Sequence, residues 1–520
     1  MGLDYVKGFF TIAVLKIAFI NLVCGILVGV CYGFVPVHTT FITIAENCTL
    51  YESQDACATA IGTTCHWGPS TNITSNKNKC LFPELVDCHT LDHTSPDECS
   101  QLSYCTWSYA DSLCQHAAGY TAVQSGIFSG AMVIGALIGS SAMGQIVNRL
   151  GRKKAIAICG ACALLCSVVV HAASATLLYG LLIPARLFLG VVVGGLCCVG
   201  PMYVDEMVPQ DYRNPVGMLF QVFFTGGMLL ASLLGFLLNP TDFTVDVKMA
   251  IRLQGLDAFP TLASLAVLIT GLFMRESTKW VKDGGSAPVT ATETLQLLIK
   301  TSYEPTKHHQ QVQQYSWRDM KLELFVALAL GMAQQMTGSN AIFNYAPNIT
   351  KSMNLQPLTG NLLVMGWNFF CSVLSIPLSS KFSMRQMFLT ATMAASLSGL
   401  MTGIPVYPGV TTEDTRSALA AVGIALFLLA YEIGIGTCFF VLAQIMFPES
   451  FRARGSSFAM VSMFLFNITV TICFPIAVEA LSGGPSGDQN KGMGITFMFF
   501  GVCGLVSWGI LYNFLKPYEA

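Results

Sequence analysis

Long apolar stretches alternate with short polar ones along the whole chain. A membrane-spanning helix needs roughly 20 consecutive apolar residues, and twelve stretches come close to that length. They lie near residues 10–36, 120–147, 155–175, 178–204, 215–238, 255–274, 321–346, 359–381, 386–405, 417–447, 455–481 and 491–515. Their frequent glycines and prolines are tolerated in membranes, because neighbouring helices satisfy the freed backbone groups. The pattern predicts an all-α membrane protein with twelve transmembrane helices.

Two longer polar segments interrupt this series and suggest how the chain is organised. We divide it into an N-terminus with the first helix (1–36), a cysteine-rich loop (37–119), the rest of a first six-helix half (120–274), a polar connector (275–320) and a second six-helix half (321–520).

Composition agrees with a membrane protein. Hydrophobic residues make up 53% of the chain and charged residues only 11%, whereas soluble domains carry about 25% charged residues. Much of the surface is therefore expected to face a lipid bilayer. No basic block stands out, so we expect no nucleic-acid partner. The first apolar segment is too long for a cleaved signal peptide.

The positions of the 27 lysines and arginines indicate the orientation. With the N-terminus inside, most of them fall in inner loops, as the positive-inside rule requires. Both termini are therefore expected in the cytoplasm, and we expect the plasma membrane as the location.

The loop after the first helix is expected to lie outside and to be held by disulfides. It carries an even number of cysteines, at Cys48, Cys57, Cys65, Cys80, Cys88, Cys99, Cys105 and Cys114, which is typical of disulfide-bonded extracellular domains. A zinc site is disfavoured because no tight Cys-x-x-Cys pair occurs. Sequons at Asn47 and Asn72 predict glycosylation. The remaining eleven cysteines are interpreted as packing residues in helices.

Motifs at the inner ends of helices recur between the two halves. The basic turn 144–153 has a weaker echo at 380–385, and the run 206–213 has one at 448–452. Such repetition indicates two homologous halves. Opposite charges in these motifs can hold the inner side closed, as alternating access requires.

These motifs, in this order, resemble the sugar porters of the major facilitator superfamily. The turn 144–153 resembles that family's Gly-x-x-x-Asp-Arg-x-Gly-Arg-Arg pattern, with Asn148 in place of Asp. The runs 186–194, 201–213, 275–280 and 334–345 resemble further signatures of the family. The cysteine-rich loop is similar to that of kinetoplastid hexose transporters. The resemblance implies a small sugar as the substrate.

The resemblance also implies which residues bind the sugar. A hexose is a ring of hydroxyls, and uncharged amides can both donate to and accept from them. Amides stand at the family's polar positions and aromatic residues at its stacking positions: Gln221, Gln334, Gln335, Asn340, Asn368, Asn467, Tyr431 and Phe440. A break at Gly338 would bring the amides of the seventh helix together. The alternatives are interhelical hydrogen bonds for the amides and core packing for the aromatics.

Gating residues are implied at both ends. Asn344 and Tyr345 are candidates for an outer gate. The inner candidates are the charged residues Arg149, Arg152, Glu206, Arg213, Glu276 and Arg452.

The most economical function is facilitated diffusion of a hexose such as glucose. Proton-coupled relatives resemble one another in a first-helix Asp, and this chain has Cys31 at that position. A polyol or inositol porter, a proton-coupled symporter and a non-transporting sugar sensor remain alternatives. We do not expect this chain to be an enzyme or to bind a metal or a cofactor, because no catalytic or metal-ligand pattern occurs in the sequence. Asp257 has no assigned role; it is either functional, as intramembrane acids often are, or paired with Arg252.

Overall fold

Two sets of six helices, before and after the connector, form the molecule. The computed structural model describes residues 12–45, 54, 57, 65–69, 78–81, 105–108, 113–116, 122–175, 179–238, 249–282, 315–343, 356–379, 381–483 and 488–516. The first half contains α1 (Ile12–Ala45), α2 (Ala122–Leu150), α3 (Arg152–Ala175), α4 (Tyr179–Met207), α5 (Arg213–Leu237) and α6 (Met249–Phe273). A short connector helix spans Thr278–Lys282.

The second half contains α7 (Lys321–Gln335), α8 (Pro357–Ser379), α9 (Met384–Val406), α10 (Glu413–Ala430, continuing as Thr437–Ile445), α11 (Arg452–Ser482) and α12 (Gln489–Phe514). Within the described residues, eleven of these helices are long and apolar enough to cross a bilayer. The twelfth span consists of α7 and a short helical stretch over 339–343, with a break in the helix between them. The predicted twelve-helix architecture is therefore confirmed, with one span discontinuous.

The break in α7 is centred on Gly338. This residue has φ +96°, a left-handed conformation that glycine adopts without strain. A Cβ at this position would also lie 2.5 Å from the Phe500 ring. The helix ends at Gln335 and helical backbone resumes over 339–343.

The first helix runs to Ala45, beyond its expected end at 36. Pro36 lies inside it without ending it. Thr40 Oγ1 donates to the Pro36 carbonyl oxygen at 2.7 Å, while Phe41 and Ile42 are buried in the bundle. Burial of this apolar turn explains why the helix continues.

Glycines allow very close helix contacts in the first half. A Cβ at Gly29 of α1 would lie 1.9 Å from the Phe224 carbonyl oxygen of α5, and one at Gly135 of α2 would lie 1.9 Å from the Leu187 carbonyl oxygen of α4. We call these the two glycine contacts. At both places the helix backbones touch, as small residues permit in membranes.

The two halves meet through small polar residues. Thr225 of α5 and Ser372 of α8 share a hydroxyl hydrogen bond of 2.7 Å. On the other side of the bundle, Ser457 of α11 donates to the Ser140 carbonyl oxygen of α2. We call the end of the bundle that holds the α2–α3, α4–α5 and α10–α11 turns the basic end, and the opposite end the loop end.

The loop end carries two small antiparallel hairpins. Strands β1 (His66–Pro69) and β2 (Asn78–Leu81) form one, and β3 (Cys105–Ser108) and β4 (Leu113–His116) form the other. A disulfide joins Cys57 to Cys80, and three further loop cysteines, Cys65, Cys105 and Cys114, are also disulfide-bonded. Seven of the residues singled out from the sequence lie outside the described residues: Asn47, Cys48, Asn72, Cys88, Cys99, Asn344 and Tyr345.

The disulfide bonding of the cysteine-rich loop can be tested by alkylation of free thiols. Alkylation of the unfolded, non-reduced protein should label the eleven free cysteines of the helices and none of the eight in the loop. Peptide mass spectrometry should then recover Cys57 linked to Cys80. The helix cysteines serve as the internal control for labelling, and an alkylated loop cysteine would contradict complete disulfide bonding.

Candidate functional site

A buried hydrogen bond joins the two halves at the centre of the bundle. Gln221 Nε2 of α5 donates to the Glu432 carboxylate of α10, at 3.3 Å from Oε1 and 3.2 Å from Oε2. Gln221 is 3% exposed and Glu432 is fully buried. The amide of Asn368 on α8 is also buried, and neither of its polar atoms has a hydrogen-bond partner within the described residues. Glu432 was not among the site residues predicted from the sequence.

A local change in helix geometry positions this carboxylate. Residues Tyr431–Gly436 form a π-helical turn inside α10, and such turns often occur at functional sites. A Cβ at Gly436 would lie 3.0 Å from Glu432 Oε2 and 3.1 Å from Gln221 Nε2. Glycine at this position therefore leaves room for the amide and the carboxylate to meet.

The break in α7 brings two of its three amides together. Asn340 Nδ2, after the break, donates to Gln335 Oε1, before it. Gln334 is 3% exposed, and its Oε1 has no hydrogen-bond partner within the described residues. An amide oxygen buried in this way is available to a polar ligand.

Aromatic rings enclose these polar groups. Tyr431 lies with its ring centroid 6.0 Å from that of Phe343 in the broken helix. Phe440 lies 4.9 Å from Phe220 of α5 and is 5% exposed. Both candidate aromatics thus face residues of other helices, near the predicted amides.

Asn467 of α11 has protein partners at both ends of its amide. Its Nδ2 lies 3.5 Å from the Tyr32 hydroxyl of α1, and its Oδ1 accepts from Thr471 at 2.9 Å. This geometry matches the packing alternative for a lone asparagine.

One charged cluster at the basic end lies within the first half and the connector. Arg152 pairs with Glu206 at 2.5 Å, and Ser277 donates to the other Glu206 oxygen at 2.6 Å. The Glu276 carboxylate accepts from the backbone N–H groups of Arg152 and Lys153, at 2.8 and 3.1 Å. A carboxylate at a helix N-terminus satisfies unpaired N–H groups and complements the helix dipole. Glu276 therefore fastens the connector to α3.

A second cluster crosses between the halves. Asp205 of α4 is 5% exposed at its side chain and contacts two arginines, Arg213 at 3.2 Å and Arg452 of α11 at 2.5 Å. Sequence reasoning listed both arginines and Glu206 but not Asp205, which makes the cross-half contact. Arg149 is exposed and forms no ion pair with any residue that the structure describes.

The connector also reaches the second half, but at the surface. Lys279 Nζ lies 2.7 Å from Glu449 Oε1, and the Glu449 side chain is 72% exposed. The hydrogen bond from Lys279 lowers the pKa of Glu449. A lowered pKa means that the bridge is fully present at neutral pH and is lost as the pH falls through that pKa.

Asp257 lies apart from these clusters, deep in the first half. It is 1% exposed, and neither of its carboxylate oxygens has a hydrogen-bond partner within the described residues. Arg186 of α4 is a cation near this carboxylate. Arg186 also packs over the Phe128 ring, 4.2 Å from the centroid.

Comparisons with known proteins agree with this architecture. The family model described as "Sugar (and other) transporter" matches residues 17–511. The chain is 36% identical to Glucose transporter 2A of Trypanosoma brucei brucei, over 99% of this chain and 90% of that protein. It is 35% identical to Membrane transporter D2 of Leishmania donovani, over 98% of this chain and 90% of that protein. The expected similarity to kinetoplastid transporters is thus confirmed.

A solved structure shows the same fold. The major facilitator superfamily proton:xylose symporter XylE, bound to 6-bromo-6-deoxy-D-glucose, aligns with a TM-score of 0.68 at 15% identity, covering 97% of this chain and 96% of that one. Fold, family model and relatives lead to one conclusion: the chain belongs to the sugar transporter family.

Proposed function

We propose that this protein carries a hexose across the plasma membrane by facilitated diffusion, with the basic end in the cytoplasm. The observation that carries the proposal is the buried Gln221–Glu432 hydrogen bond, which joins the two halves at the centre of the bundle. Several relatives are named glucose transporters. A site between two halves can be exposed to either side in turn.

The chemistry of the site suits a neutral polyol. Gln221, Gln334, Gln335 and Asn340 offer both donors and acceptors, and all four are buried. Because uncharged amides cost less free energy to desolvate than ions, they can bind a sugar at a buried site without a charged partner. Tyr431 and Phe440 offer apolar faces for the sugar ring.

Uniport is favoured by the composition of α1. The described helix, Ile12–Ala45, contains no Asp or Glu, and Cys31 is buried within it. A thiol with an ordinary pKa near 8.5 exchanges few protons at neutral pH. The buried Glu432 favours the second candidate, proton symport, because it is a carboxylate at the centre of the bundle.

Flux measurements distinguish the two. We expect proteoliposomes to take up labelled D-glucose until the inside and outside concentrations are equal, with or without an inward proton gradient. L-Glucose measures leakage, and fructose and inositol test the choice of substrate. Accumulation above the outside concentration, abolished by a protonophore, would contradict uniport.

A further inference from the structure

A small cavity lies between the halves, on the basic-end side of Phe440. Its volume is about 10 Å³, enough for about one water molecule. Asp205, Arg213 and Gly217 line it from the first half, and Phe440 and Gln444 line it from α10. Gln444 is one helical turn beyond Phe440 along α10, towards the basic end.

Gln444 is the unusual residue of this cavity. Its side chain is 2% exposed, and neither Nε2 nor Oε1 has a hydrogen-bond partner within the described residues. Buried amides are almost always hydrogen-bonded, because burying one without a partner costs about 1–3 kcal/mol. A buried glutamine without partners contributes little to the stability of the closed fold, which suggests that its amide binds a ligand.

The walls of the cavity belong to different halves. Asp205 bonds to Arg452 at 2.5 Å across the interface, which holds the walls together. Opening of the basic end would have to break this bond and would move the second half, including the α10 wall, away from α4 and α5. The cavity then widens, while Asp205 keeps Arg213 of its own half at 3.2 Å.

We propose that Gln444 and Asp205 form a second sugar-binding subsite, occupied when the basic end is open, between the central site and the cytoplasm. The subsite rests on the proposed hexose transport. Its amide and carboxylate bind hydroxyl groups without requiring a charged ligand. Phe440 borders both sites, so a sugar can pass from one to the other while it stays against one aromatic ring.

Gln444→Met tests the subsite, because methionine has a similar length and no amide. We expect the KM for sugar exit from the basic end to rise about 10-fold, the loss associated with one or two buried hydrogen bonds. The KM for entry from the loop end should change less than about 2-fold, since that substrate meets the central site first. For a passive carrier Vmax/KM is equal in both directions, so the exit Vmax should rise with the exit KM.

Thermal stability separates binding from structure. A glutamine that holds the fold together would lower the melting temperature when replaced, whereas a partnerless amide would not. We therefore expect Gln444→Met to melt at or above the wild-type temperature in the absence of sugar. Gln254→Met, the same change at an exposed position of α6, is the matched control and should alter neither the exit KM nor the melting temperature.

The outcomes are distinct. An unchanged exit KM with normal entry, or a lower melting temperature for Gln444→Met, overturns the subsite and leaves hexose transport standing. If the wild-type protein moves no hexose in either direction, both the subsite and the proposed function are overturned.

Discussion

Replacing Asp205 with Asn is expected to open the basic end. The carboxylate contacts Arg213 and Arg452 and is almost completely buried, and hydrogen bonds between charged groups contribute about 1.5–3 kcal/mol each. Only the Arg452 bond crosses between the halves, and its loss should favour the open conformation by about 10-fold or more. A cysteine placed at Val441, which lines the cavity between the halves, should then react correspondingly faster with an impermeant maleimide applied from the basic end.

Glu449→Gln is the matched control for this experiment. This substitution removes the ion pair between Lys279 of the connector and Glu449 of the second half. That pair is exposed, and exposed ion pairs contribute about 0–1 kcal/mol. Labelling should change less than about 3-fold. Equal effects of the two substitutions would mean that Asp205 does not hold the basic end closed. The same variants without the Val441→Cys change correct for the native thiols.

The second large effect is expected at the centre of the bundle. Glu432→Leu removes the acceptor of Gln221 Nε2 and leaves that amide buried without a partner. Losing such a bond costs about 1–3 kcal/mol, so the KM for sugar entry should rise about 10- to 100-fold. Initial-rate uptake at several glucose concentrations, with surface expression measured in parallel, gives this value.

A double-mutant cycle shows whether the pair acts as a unit. Gln221→Met and Glu432→Leu together should cost less than the sum of the two single changes, since each already removes the same bond. Glu432→Gln keeps a hydrogen-bonding group of similar size and serves as the conservative control. Strictly additive effects, or a KM within about 2-fold of wild type for Glu432→Leu, would exclude this pair from the sugar site.

Much of the architecture could be predicted because lipid imposes a strong periodic constraint on sequence. Twelve apolar stretches and the positions of polar interruptions were sufficient for the two six-helix halves. The break at Gly338 was also predictable, because three amides at 334, 335 and 340 make little sense on an unbroken helix face.

What could not be predicted depends on contacts distant in sequence. Glu432 is a single acidic residue in a long apolar segment. Its hydrogen bond with Gln221 depends on the π-helical turn, which the sequence pattern did not predict. Asp205 and Glu206 are neighbours, but only the packed helices reveal that Asp205 faces Arg452 while Glu206 faces Arg152.

The two glycine contacts make the first half mechanically stiff. Where backbones touch, as at Gly29 and Gly135, neighbouring helices cannot slide without overlapping atoms. We therefore expect each of the helix pairs α1–α5 and α2–α4 to move as a rigid unit when the basic end opens. A movement at the end that carries Asp205 would then reach the other end of α4 through the helix itself, with no relay of side chains.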